Sequence, residues 1–294
     1  MFCLGGPAIF KTLDYHQVTY ADGIPMSAIA DFEFNRSPLS EGVILVSQEI
    51  RCDFSATEVR RNLQHLVDEA RKAIPTHLAP EQKLENLIAL FFGAWGFGGA
   101  SGVYRLSDVL WLDKVLSTRQ GMPVSLGIIF MHIAQQIDLP LMPVIFPTQF
   151  IIRVDWLDEE MWLINPLNGD TLSEHVLDVW LKGNIGPSTR LLDEDLDEAE
   201  NVMIVRKLLD TLKIALMEEK QMELALRACE AVLQFDPEDP YEIRDRGLIY
   251  AQLDCDHIAL SDLSYFVEQC PEDPVSDMIK VQIHSIEQKD IVLH

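Results

Sequence analysis

The amino-acid sequence predicts an α+β fold, in which a core of helices and a small antiparallel sheet is followed by an all-α tail of helical repeats. Three observations lead to this prediction. Helical patterns of apolar residues fill the first half of the chain, three short segments rich in branched and aromatic residues follow, and the last third repeats every 34 residues. We predict a core domain at residues 26–195 and a repeat domain at residues 202–290.

Residues 1–25 are predicted to be a disordered extension that precedes the core. They contain neither the basic first region nor the long apolar stretch of a signal peptide. Met26 opens a segment that resembles a natural chain start.

The first half of the core is predicted to be helical. Apolar residues recur at helical spacing within residues 39–51, and the next helix starts with a capping box, Ser55 followed by Glu58. Residues 124–137 (VSLGIIFMHIAQQI) are apolar around most of the helix circumference, which predicts a helix buried inside the domain. Two further helices are predicted at residues 80–97 and 107–117.

The sheet is predicted in the second half of the core. The segments LMPVIF (141–146), QFIIRVDW (149–156) and MWLINPL (161–167) are short, rich in β-branched and aromatic residues, and separated by turn-forming residues. They predict three consecutive strands, two of them paired as a hairpin. The acidic run at residues 193–201 predicts a solvated linker or the start of a helix.

The tail repeats with a period of 34 residues. Pro237 and Pro271 are one period apart, and so are Ala225 and Ala259. A period of this length, with alanine near its middle and proline at its end, is the tetratricopeptide pattern, in which each unit is a pair of helices. We predict two units that start near residues 206 and 240, and a capping helix at 275–288.

The second unit matches this pattern better than the first. It has Gly247 at the position where its two helices cross closely, whereas the first unit has Lys213 there. Because two units are fewer than an independent array needs, the tail is expected to pack against the core. Its groove is predicted to bind an unknown protein partner. The alternative is that the short array serves only to pack against its own core.

Composition indicates which partners are unsuited to this chain. With 23 basic and 47 acidic residues, the net charge is −24, and such a surface repels nucleic-acid phosphates and anionic lipid. No stretch of the sequence approaches the roughly 18 consecutive apolar residues of a membrane span. We therefore expect no nucleic-acid partner, no membrane partner and a cytoplasmic location.

The five cysteines are scattered along the chain and odd in number. This pattern favours neither a disulfide framework nor a zinc site, and it fits a reducing compartment. Neither a metal nor a cofactor is expected.

Three motifs around the buried helix and the sheet resemble those of a known catalytic core. They are GMPVS (121–125), PTQF (147–150) and NPLNG (165–169). Together with the repeat tail, they are similar to the bacterial transglutaminase-like family with C-terminal tetratricopeptide repeats, the group related to the invasion regulator Sir proteins. The resemblance covers residues 28–290. It implies a papain/transglutaminase-like core, in which a nucleophilic cysteine opens the central helix while histidine and aspartate lie on neighbouring strands.

The resemblance places Ser125 at the nucleophile position, Gln149 at the base and Asn165 at the orienting residue. All three depart from the cysteine, histidine and aspartate of the enzymes. A serine hydroxyl is a much weaker nucleophile than a thiolate and needs an adjacent base. Gln149 has no titratable nitrogen and cannot accept that proton. We therefore expect no catalytic residue here, and we expect the three polar side chains to pair with one another and with the backbone.

Two histidines are candidates for a replacement base. His132 lies seven residues after Ser125 on the same predicted helix. That spacing corresponds to about 10 Å along the axis, which is too far for a hydrogen bond. His175 follows the last predicted strand, and the sequence leaves its role as a substitute base open.

The favoured interpretation is a catalytically degenerate protein that acts as a protein-interaction or regulatory module through its repeat domain. The alternative is a serine-dependent amidase, protease or acyltransferase that uses Ser125 with an unconventional base. A third interpretation is a pocket that binds a small ligand without turnover.

Overall fold

The computed structural model describes residues 28–102, 104–156 and 160–292. The predicted extension at residues 1–25 lies outside the described residues. The core contains seven α-helices among the described residues: α1 (Ala28–Asp31), α2 (Leu39–Ile50), α3 (Ala56–Ala73), α4 (Pro80–Ile88), α5 (Leu112–Thr118), α6 (Pro123–Gln135) and α7 (Glu174–Asn184). Its strands are β1 (Gly98–Gly99), β2 (Gln120–Gly121), β3 (Leu141–Phe146), β4 (Gln149–Asp155), β5 (Met161–Ile164) and β6 (Thr171–Leu172). The tail consists of α8 (Asn201–Glu218), α9 (Met222–Leu233), α10 (Pro240–Gln252), α11 (Asp256–Gln269) and α12 (Ser276–Val292).

The α+β prediction is confirmed, and the helices of the core form where the sequence places them. Helix α3 begins at the predicted capping box, where the Ser55 hydroxyl accepts a hydrogen bond from the Glu58 backbone N–H at 3.3 Å. The predicted helix at 107–117 is interrupted. A 3₁₀ turn at Ser107–Val109 precedes α5, and the extended backbone of Trp111 separates the two.

The main sheet is antiparallel and has the order β3-β4-β5-β6. The two residues Pro147 and Thr148 join β3 to β4 as a hairpin, so that Phe146 pairs with Gln149. The third strand is shorter than predicted and ends at Ile164. Strands β1 and β2 form a separate parallel pair in front of α6.

Helix α6 is buried against the sheet, as the sequence predicts. Its Gly127 faces the ring of Phe150 on β4, and a Cβ atom at this glycine would lie 2.3 Å from Phe150 Cε1. The missing side chain therefore allows α6 to approach β4 closely, and this contact sets the position of the helix relative to the start of β4.

The tail forms two helical pairs, α8 with α9 and α10 with α11, and α12 packs against α11. Helix α8 begins earlier than the predicted start at 206, whereas α10 begins at the predicted residue 240. A Cβ atom at Gly247 would lie 3.0 Å from Asp262 Cβ and from Leu263 Cγ. This glycine therefore lies where α10 and α11 cross closely, as the repeat pattern predicts.

The first repeat packs against the core, mainly against α2. Apolar residues of α2, α6, α8 and α9 belong to one continuous buried cluster, whereas α11 and α12 contribute to a separate one. Polar contacts reinforce the interface. Arg227 donates a hydrogen bond to the Ile50 carbonyl at 3.2 Å, and the Glu219 carboxylate accepts bonds from the N–H and hydroxyl of Ser107 at 2.9 and 2.7 Å. Over the residues that the structure describes, no helix is long and apolar enough to cross a membrane.

Candidate functional site

Ser125 lies in the first turn of α6, as predicted, but its side chain faces inward. Its hydroxyl donates a hydrogen bond to the Val109 carbonyl at 2.6 Å and accepts one from the Met122 N–H at 3.0 Å. The residue is completely buried. Met122 is the N-cap residue of α6, so its hydrogen bond to the Ser125 hydroxyl caps the start of the helix. The bond to Val109 links the helix to the preceding 3₁₀ turn. These contacts give the serine a structural role.

A cavity of about 320 Å³ lies in front of the start of α6. We call it the α6 cavity. Its walls come from the first turn of α6, the β3–β4 hairpin and helix α8 of the tail. They comprise Leu110, Met122, Pro123, Val124, Ile145, Phe146, Pro147, Thr148, Gln149, Phe150, Ile204, Lys207 and Thr211. The residues of α6 that face this cavity are therefore Pro123 and Val124, neither of which carries a nucleophilic atom, and Ser125 does not line it.

Gln149, at the position of the catalytic base, lies in the wall of the α6 cavity. It is the first residue of β4, and its Nε2 is buried without a hydrogen-bond partner among the described residues. The hydroxyl of the neighbouring Thr148 is buried and unpaired in the same way. An amide at this position has no basic nitrogen, so it provides no group that takes up a proton at neutral pH.

Asn165, at the position of the orienting residue, stabilises its own turn. It follows the last residue of β5, and its side-chain oxygen accepts a hydrogen bond from the Leu167 N–H at 3.0 Å. Its backbone N–H donates to the Asp170 carbonyl at 2.9 Å. Pro166 has no N–H with which to continue the strand. The prediction that Asn165 lies within a strand is therefore wrong.

The expectation that Ser125, Gln149 and Asn165 pair with one another is also wrong. Ser125 and Asn165 bind backbone groups, and the buried Gln149 nitrogen has no partner in the described part of the chain. The reason is geometric, because the Ser125 hydroxyl is held by Val109 and Met122, whereas the Asn165 side chain accepts from Leu167 in its own loop.

Neither candidate histidine lines the α6 cavity. His132 Nδ1 lies 2.8 Å from the Ser40 hydroxyl in a hydrogen bond, and burial lowers the pKa of the imidazole. His175 is exposed in the first turn of α7. Among the described residues, the lining of the cavity contains no imidazole, thiol or carboxylate. The polar residues that the described lining offers to a ligand are Thr148, Gln149, Lys207 and Thr211.

Sequence reasoning missed the contribution of the tail to this site. Ile204, Lys207 and Thr211 of α8 line the α6 cavity. Their spacing of three and four residues puts them on one face of a helix, and this spacing is readable in the sequence. What the sequence did not indicate is that this face covers the start of α6.

Comparisons with known proteins agree with this architecture. Residues 57–210 match the transglutaminase-like superfamily, and residues 212–284 match the tetratricopeptide repeat. The first match covers more than half of the chain.

Similar proteins occur in several bacteria. The UPF0162 protein YchA of Escherichia coli K12 and the protein SirB1 of Salmonella typhimurium are each 64% identical over 269 residues, which are 92% of this chain and 100% of each relative. A UPF0162 protein of Vibrio cholerae is 36% identical over 270 residues, again 92% of this chain and 100% of the relative. No solved structure gives a significant match.

Proposed function

Since this chain belongs to the transglutaminase-like superfamily and is 64% identical to YchA and SirB1, we propose that it is a catalytically degenerate member that acts as a protein-interaction and regulatory module. The α6 cavity carries this proposal, because it lies where the resemblance places a catalytic site, and its described lining contains Gln149 at the base position and no thiol, imidazole or carboxylate. In this proposal the core domain spans residues 26–195, and the repeat domain spans residues 202–290.

Proton transfer is the step that this site fails to support. A serine loses its proton as it attacks, and a neighbouring base must accept it. The Ser125 hydroxyl donates instead to the carbonyl oxygen of Val109, which is not a base at neutral pH. The alternative of a serine-dependent amidase therefore has no comparable observation in its favour.

The interaction function is assigned to the repeat tail. Its first repeat is bound to the core, whereas α11 and α12 form a separate apolar cluster at the far end. On α12, Met278 and Val281 each expose 71% of their surface. Apolar side chains this exposed, three residues apart on one helix, are suited to a protein partner.

Changing Met278 and Val281 to serine together is expected to reduce the capture of protein partners by at least about tenfold, because removing an apolar anchor from an interface costs on the order of 1.4 kcal/mol or more. The measurement is crosslinking and affinity purification of the full-length chain from cells, with quantitative mass spectrometry. The matched control is Val179→Ser, since Val179 is also exposed but lies on α7 of the core. Partners that bind the double variant as strongly as the wild type would place the interaction elsewhere.

A further inference from the structure

The α6 cavity contains two buried polar atoms that have no hydrogen-bond partner within the described part of the chain. They are the hydroxyl oxygen of Thr148 and the side-chain nitrogen of Gln149, which are adjacent in sequence and line the same space. Unpaired buried polar atoms are costly and few in a folded protein. Both groups are able to donate hydrogen bonds, so they are suited to a ligand that accepts them.

The charge around the cavity favours an anion. Lys207 lines it, and its exposed ammonium also acts on the charge of Asp210, three residues along α8. The N-terminal end of the 13-residue helix α6 also opens into it, and the partial positive charge of the helix dipole lies at this end. The chain has 47 acidic residues, yet none of those described lines this cavity.

The remaining walls favour an apolar ligand of limited size. Most of the lining is aliphatic or aromatic, with Leu110, Ile145, Phe146, Phe150 and Ile204 among the contributing residues. The volume of about 320 Å³ lies at the lower end of the range of roughly 300–1,000 Å³ that is typical of ligand pockets.

We propose that the α6 cavity binds a small carboxylate with an apolar chain. The carboxylate accepts hydrogen bonds from Thr148 and Gln149 and pairs with Lys207, and the chain lies against the apolar walls. This inference rests on the proposed function, since it assigns a ligand to a site without a catalyst. Because Lys207 and Thr211 belong to α8, the ligand would contact both the core and the repeat tail.

Two kinds of molecule present a carboxylate beside an apolar chain: a free short-chain acid and the C-terminal residue of a peptide. The probes are hexanoate and acetyl-Gly-Gly-Leu with a free carboxylate, and the controls are hexanamide and the same peptide as its C-terminal amide. Isothermal titration calorimetry with the full-length chain is expected to detect binding of at least one acid at millimolar concentration or below. The matching amide is expected to bind at least about tenfold more weakly, and the acid that binds identifies the source.

Variants of the lining separate ligand binding from folding. Thr148→Val and Gln149→Leu keep the approximate shape and remove the unpaired donors, so they are expected to raise the melting temperature of the free protein. The same changes are expected to abolish the increase in melting temperature that the acid produces. Lys207→Gln is expected to weaken acid binding at least about tenfold, whereas Lys72→Gln, which removes an exposed lysine of α3, leaves it unchanged.

Three results would overturn the inference. The first is that neither acid binds at millimolar concentration. The second is that the Thr148, Gln149 and Lys207 variants bind the acid as well as the wild type does. The third is that the wild type binds the acid no better than the matching amide. None of these results bears on the proposed function, because partner capture and the absence of turnover are measured independently.

Discussion

Replacement of Lys213 by methionine is expected to lower the free energy of unfolding by about 3–5 kcal/mol, because it leaves the buried Glu242 carboxylate without its cation. Lys213 occupies the glycine position of the first repeat, and its side chain is only 3% exposed. Its ammonium donates to Glu242 at 2.7 Å and lies 2.7 Å from Asp245, both on α10. This cluster therefore joins α8 to α10 where the repeat pattern has a small residue.

Burial and ion pairing have opposite effects on the pKa values of Lys213 and Glu242. Burial pulls the pKa of Lys213 down, but the charges and hydrogen bonds of Asp245 and Glu242 outweigh it and leave the pKa raised. For Glu242, burial outweighs the nearby ammonium and raises the pKa. Without Lys213, the charged form of Glu242 is less favourable still.

The stability loss of Lys213→Met is expected to depend on pH. A carboxyl group whose pKa is raised in the folded state destabilises the protein above that pKa, and the penalty disappears below the pKa of the unfolded chain. The difference from the wild type should therefore shrink as the pH falls from about 8 to about 5. Urea unfolding at a series of pH values measures this difference.

Two controls accompany this prediction. Lys72→Met removes an exposed lysine and is expected to change stability by less than about 0.5 kcal/mol. The double change Lys213→Met with Glu242→Met is expected to lose less stability than Lys213→Met alone, because Asp245 keeps its ion pair with Arg244 at 2.6 Å. A single variant as stable as the wild type at every pH would show that the cluster is not needed for stability.

Replacement of Gly127 by valine is expected to lower the free energy of unfolding by about 3 kcal/mol or more, because it overpacks the contact between α6 and β4. A Cβ atom at this position would already lie 2.3 Å from Phe150 Cε1 and 2.8 Å from Phe150 Cδ1, and the phenylalanine ring is buried. The ring or the strand must therefore move. Since β4 begins with Gln149, such a movement would also distort the α6 cavity.

Gly183→Val provides the matched control for this change. Gly183 is also helical, in the last turn of α7, but a Cβ atom there would meet no atom within 4 Å. We expect this variant to be within about 0.5 kcal/mol of the wild type in urea unfolding. Equal stability losses in the two variants would indicate a general cost of valine in helices and would contradict the role of close packing at Gly127.

The sequence predicts those parts of the fold that depend on local patterns. Helices α2, α3 and α6 follow from apolar periodicity and from the cap at Ser55, and the second repeat follows from Gly247 and from the 34-residue period. The hairpin of β3 and β4 follows from two branched and aromatic segments that flank a short turn. In each case, the residues that determine the element lie within it.

The candidate site was less predictable, because its geometry depends on distant contacts. The direction of the Ser125 side chain is set by the Val109 carbonyl, which lies in a separate turn of the chain. The α6 cavity needs α8 as a wall, and the sequence gives no indication of where that helix packs. Because the Ser125 hydroxyl forms hydrogen bonds with Val109 and Met122, Ser125→Ala is expected to cost about 1–3 kcal/mol of stability.

Intact-mass spectrometry of the full-length protein after incubation with a fluorophosphonate tests the central claim, that the catalytic scaffold has no working catalyst, most directly. We expect no labelling of the wild type and no amidase, peptidase or transglutaminase turnover, because the Ser125 hydroxyl is buried and donates to a backbone carbonyl. Ser125→Ala is then expected to reduce stability only. Stoichiometric labelling at Ser125, together with a hydrolytic rate that Ser125→Ala abolishes, would contradict this account and establish the protein as a serine enzyme.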